Sequence, residues 1–187
     1  MKKISTIAVI PALILMLMGC GNLNFEAFSA PKEASEAASV DLSNLSDDVV
    51  VYKGKPISVF DEMSSALDVL GKPTNKSHNL GMYFYGFDDN SIQINAVDAD
   101  ETTYLTRVVI IDQNGTTARG ITVGSTKEDV LNAYGDPSIS SDFYDQSYNS
   151  TVTSMTYKFD DDKYRVDFLI ANGKVVNLEV LNMETSI

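Results

Sequence analysis

Between residues 163 and 168 polar and apolar side chains alternate strictly: Tyr164, Val166 and Phe168 against Lys163, Arg165 and Asp167. That is the period of a strand with one face buried. Asn172-Gly173 follows, a pair that tolerates the positive φ of a type I′ hairpin turn. Val176, Leu178 and Val180 then alternate with Asn177 and Glu179, which predicts the return strand. Upstream, in GITVGSTKEDVLNAYGDP (Gly120 to Pro137), the period changes to that of a short helix. Thr126 is placed to cap it while Asp129 returns the bond from the third helical position, and Ser125 with Glu128 offers the same box one residue earlier. Gly135 suits the left-handed residue that ends a helix, and Pro137 stops it.

The same order of signals occurs earlier in the chain. ISVFDEMSSALDVLGKP (57–73) aligns with ITVGSTKEDVLNAYGDP (121–137) with five identities in 17 positions, Gly-x-Pro among them. YGFDDNSIQINA (85–96) then lies over YKFDDDKYRVDF (157–168), and RVVII (107–111) over NLEVL (177–181). The differences in spacing fall in connections, where insertions are tolerated. These matches predict an α+β fold of two tandem units, residues 49–114 and 115–187. Each unit is expected to be a short helix followed by a three- to four-stranded antiparallel sheet packed against it.

A short helix opened by Gly-x-Thr-x-x-acid-Val, closed by Gly-x-Pro and followed by antiparallel strands resembles the small-lipoprotein superfamily. That superfamily includes SmpA/OmlA-like proteins and the tandem-repeat beta-lactamase inhibitory proteins. The resemblance covers roughly residues 50–182 and implies a protein-binding module without catalytic activity. The inhibitors carry disulfides and this chain has a single cysteine, so none of their contact residues is carried over.

The N-terminus adds a compartment. Lys2 and Lys3 precede Ile4 to Met18, an apolar run broken only by Ser5, Thr6 and Pro11. The run is short for a helix that must cross ~30 Å of hydrocarbon and fits a secretory signal. It ends in Leu17-Met18-Gly19-Cys20, which resembles the lipobox of bacterial lipoproteins. The resemblance implies removal of residues 1–19, a lipid on the Cys20 sulfur, and an extracytoplasmic location at the membrane. Residues 20–48, rich in Ala, Ser and Glu, read as a flexible tether. The net charge of −12 excludes binding of nucleic acid through a basic surface.

Chemistry is sparse. Gly120 and Gly124 invite comparison with a phosphate-binding loop, but Ser125 and Thr126 separate Lys127 from the last glycine, which is the wrong order. His78, the only histidine, falls in a polar connection. Asp88-Asp89-Asn90, Asp98-Ala99-Asp100-Glu101 and Asp160-Asp161-Asp162 are carboxylate clusters at expected turns, and none follows a calcium-loop pattern. No catalytic residue, metal or cofactor is assigned.

Two surfaces remain as candidates for a protein partner. On the sheet face away from the helices, positions 156, 158, 165, 167, 177 and 179 are polar, whereas their counterparts include Phe84 and Val109, with Met82 nearby. That apolar patch is either covered within the protein or a recognition surface. The insert SSDFYDQSYNSTVTS carries Phe143, Tyr144 and Tyr148 among serines and asparagines, the chemistry of adaptable binding loops, or else local packing on the sheet. The sequence therefore reads as a membrane-anchored, non-enzymatic module for an envelope or extracellular protein. The competing readings are an envelope hydrolase using paired carboxylates and a lipoprotein for small solutes.

Overall fold

The computed structural model describes residues 40–184. The expected signal segment, Cys20 and the tether up to residue 39 lie outside the described residues. The chain runs β1 (Val49–Tyr52), β2 (Lys55–Ser58), α1 (Met63–Leu70), β3 (Asn75–Asn79), β4 (Met82–Phe87), β5 (Ile92–Ala99) and β6 (Thr102–Ile110). It continues with β7 (Gly115–Thr117), α2 (Lys127–Tyr134), β8 (Ile139–Asp145), β9 (Ser150–Phe159), β10 (Tyr164–Ala171) and β11 (Lys174–Asn182). Eight strands form one antiparallel sheet in the order β3-β4-β5-β6-β11-β10-β9-β8, and β2-β1-β7 form a second, smaller one.

This architecture overturns the expected α+β fold of two tandem helix-plus-sheet units. The described residues are mostly β, with two α-helices of eight residues each among them. β6 and β11 are hydrogen-bonded neighbours, with Val109 opposite Glu179 and Val108 opposite Val180, so the large sheet is continuous where a boundary was expected. The backbone explains the outcome. Two strands of nine residues left unpaired would expose rows of N–H and C=O groups, and pairing them satisfies both rows at once. Two stretches read as connections, around His78 and around Phe143, are also strands, β3 and β8.

Strand alternation sorts the large sheet into two faces. On the inner face one row runs Tyr85, Ile94, Val108, Val180, Val166 and Tyr157 across six strands. The next row runs Phe87, Ile92, Ile110, Leu178, Phe168 and Met155. All twelve are buried and share one core with Met63 and Ala66 of α1 and Val130 and Tyr134 of α2. Both helices therefore pack on this face.

Local signals hold where they are short-range. The Thr126 Oγ1 accepts from the Asp129 N–H at 3.1 Å, and Asp129 Oδ2 accepts from the Thr126 N–H at 2.7 Å. Thr126→Ala is expected to lose about 1 kcal/mol of stability, read as a shift of the urea midpoint with unchanged slope. Asn172 and Gly173 adopt φ of 51° and 76°, the type I′ turn between β10 and β11. The end of the expected tether is fixed to the fold. Arg119 grips both carboxylate oxygens of Asp47 (2.8 and 2.7 Å), donates to the Ala133 carbonyl at the end of α2 (3.0 Å) and lies 4.6 Å over the Tyr134 ring.

Candidate functional site

Among the described residues, the strand order of the large sheet leaves two open edges, β3 and β8. β3 is Asn-Lys-Ser-His-Asn and exposed throughout, a polar edge of the kind that discourages pairing with other chains. The His78 ring stacks on Tyr83 at 4.3 Å between centroids. β8 differs. Its partner on one side is β9, from Ile139 opposite Thr156 to Asp145 opposite Ser150, and its other edge is free. Ile139, Phe143 and Tyr144 are 54, 44 and 62 % exposed along it, and Tyr148 lies in the following turn. The Tyr144 hydroxyl donates to Asn149 Oδ1 at 2.7 Å, which holds the ring at the end of the hairpin. The three aromatics named from sequence thus belong to one edge strand and its turn.

The residues expected on the face away from the helices do share it. One row runs Phe84, Asn95, Arg107, Leu181, Arg165 and Lys158. The adjacent row runs Gly86, Gln93, Val109, Glu179, Asp167 and Thr156. Phe84 is partly exposed and Met82 is half-buried, whereas Val109 is buried within the second row. Val109 is therefore packed away, and Phe84 and Met82 are the members of that patch that reach solvent.

The centre of this face carries charges whose meeting sequence reading missed. Arg107 pairs with Glu179 across the β6–β11 seam, and Arg165 Nε lies 2.9 Å from Asp167 Oδ2. That second contact is out of line for a directed hydrogen bond, and Arg165 Nε and Asp167 Oδ1 are buried without one. Asp167 and Glu179 stand directly opposite each other on β10 and β11. Burial pushes both carboxyls above their ordinary range. Thr156 and the two arginines pull Asp167 back, and Arg107 pulls Glu179 back. The carboxylates sit side by side on one face, each beside an arginine, rather than facing each other across a cleft. Alternation alone put these side chains on the same face; only the seam brings Arg107 and Glu179, 72 positions apart, together.

The turn carboxylates have local roles. Asp88, Asp89 and Asn90 connect β4 to β5, and Asp160, Asp161 and Asp162 connect β9 to β10, all six with positive φ, which Asp and Asn tolerate better than most residues. Asp88 pairs with Lys53 at 2.7 Å and Asp162 with Lys158 at 2.9 Å. Among the described residues no group of three His, Cys, Asp or Glu is placed to hold a metal ion, and no helix is long and apolar enough to cross a membrane.

No protein-family model and no curated protein matches the chain. Solved structures with a similar arrangement include an extracellular protein containing an SCP domain from Bacillus anthracis. It has a TM-score of 0.48 and 9% identity over 68% of this chain and 45% of that one. A DUF4309 family protein from Bacillus subtilis gives a TM-score of 0.38 and 11% identity over 65% and 78% of the two chains. A Streptococcus mutans protein provisionally assigned as a beta-lactamase inhibitor gives 0.27 and 13% over 64% and 81%. The chain thus matches less than half the length of the SCP-domain protein. At these identities no family is assigned.

Proposed function

We propose that this chain is a non-enzymatic, extracytoplasmic protein-binding module, tethered to the membrane through a lipid on Cys20. It takes up an extended segment of an envelope or extracellular partner at the free edge of β8. The observation that carries the reading is the contrast between the two edges of the large sheet. β3 is polar from end to end, while β8 offers unpaired backbone together with Ile139, Phe143 and Tyr144. Strand addition uses both: main-chain hydrogen bonds supply affinity, and alternate side chains supply selectivity. The expected leader, lipobox and acidic charge support the location and argue against nucleic acid.

The test is capture of envelope proteins by soluble protein beginning after Cys20, followed by identification and titration of what is retained. Phe143→Asp and Tyr144→Ala are each expected to weaken binding of the retained partner by about tenfold or more. Ser77→Asp on the opposite edge should leave binding unchanged. Retention that is indifferent to both β8 substitutions would remove the edge from the reading.

A further inference from the structure

A depression of about 480 Å³ opens on the outer face of the large sheet, at the end where β3 turns into β4. Its apolar wall comes from Leu80, Met82, Val97, Leu181 and Met183. Its polar lining residues are Arg107 and Arg165 with the neutral Asn95, Thr106 and Asn182; among the described residues that line it none carries a carboxylate. In a chain with 26 acidic side chains, the only charged residues in this lining are two arginines.

The two arginines are held from behind. Glu179 and Asp167 lie in the neighbouring row, in a second hollow that Arg107 also lines, and pair with one side of each guanidinium. A guanidinium has five N–H donors, so those not facing its carboxylate remain for a ligand in the depression. The four charges sum to zero, which suits one added negative charge better than two. The rim adds a second observation. Leu80 is 97 % exposed at the tip of the β3–β4 hairpin with φ of 49°. Left-handed backbone is disfavoured for a non-glycine residue, and this one leaves its side chain in water beside the cavity mouth.

From this lining we infer that the depression is a binding site for a small amphiphilic carboxylate, a single acidic group on an unbranched apolar chain. The head group lies against Arg107 and Arg165, and the chain runs along Met82, Val97 and Leu181 beneath Leu80. Cavities of this size suit small ligands. The site is separate from β8, so its failure would leave the strand-addition reading standing, and the reverse holds as well.

The experiment is calorimetric titration of soluble protein beginning after Cys20 with n-decanoate, n-decanol and n-decylammonium, each below its micelle concentration. Decanoate should bind saturably, one molecule per chain, and at least about tenfold more tightly than decanol, with decylammonium weaker still. Arg165→Gln should erase the preference for decanoate over decanol. Leu80→Asp, at an exposed turn where folding is not at stake, should weaken decanoate binding by about tenfold or more. Equal binding of decanoate and decanol, no saturable binding of decanoate, or decanoate affinity untouched by Leu80→Asp would each overturn the assignment.

Discussion

Phe168→Ala should cost about 3–5 kcal/mol of stability, the largest effect expected of any single truncation in the chain. Phe168 has no exposed surface and occupies the middle of the inner face, in the row between Met155 and Leu178. Its ring meets Tyr134 of α2 edge-on at 5.2 Å and Tyr157 of β9 at 6.0 Å. Truncation removes the apolar surface and also leaves a cavity bounded by a helix and a continuous sheet, neither of which can close inward without breaking hydrogen bonds. Urea denaturation should show a lower midpoint with the slope preserved. A control on the other face, Phe84→Ala, should cost less than about 1 kcal/mol, because that ring is partly exposed already. Comparable losses from the two would contradict the assignment of inner and outer faces.

The second large effect depends on pH. Arg107→Leu leaves Glu179 mostly buried beside Asp167 without its cation. Removing one partner of a fully buried pair costs 3–5 kcal/mol; here 38 % of the arginine side chain is exposed and water screens the pair, so about 2 kcal/mol at neutral pH is expected. Burial already raises the Glu179 pKa in the folded protein, and loss of Arg107 raises it further. An acid whose folded pKa exceeds its unfolded value favours the folded state below the unfolded value. That contribution disappears as pH rises through the folded value. The deficit of Arg107→Leu relative to the parent should therefore be small near pH 4 and full by pH 7. Denaturation midpoints at the two pH values provide the check, and equal deficits would show that Glu179 does not depend on Arg107.

What could be read from the chain alone divides by distance along it. The Thr126–Asp129 box, the Asn172-Gly173 turn and the alternation that places Phe84, Arg165 and Glu179 on one face are all settled within a few residues, and the structure shows each of them. The architecture was not legible in the same way. Two similar runs of signals suggested two units, because nothing local in RVVII or NLEVL reveals that the strands holding them are neighbours. β8 was read as an insert because its serines, aspartates and aromatics lack a regular apolar period. An edge strand exposed on both faces has no buried face to impose one. The charge cluster was missed for the first of these reasons: Arg165 and Asp167 are visible in one strand, but their neighbours Arg107 and Glu179 meet only through the seam.

That seam also orders events in time. Every other strand pair in the large sheet joins strands adjacent in sequence, so those hairpins can form early and locally. β6 must wait for β11, which is made only after β7, α2 and three further strands have been traversed. Within the large sheet, loop-closure entropy weighs on this pairing above the others, and pairings of this kind slow folding when contacts are non-local. Until it closes, the outer edges of β6 and β11 are bare and the charges of Arg107 and Glu179 remain in water. The folding chain thus passes through a stage with two extra sticky edges, and Arg107 and Glu179 are placed to draw those edges to each other rather than to a stranger.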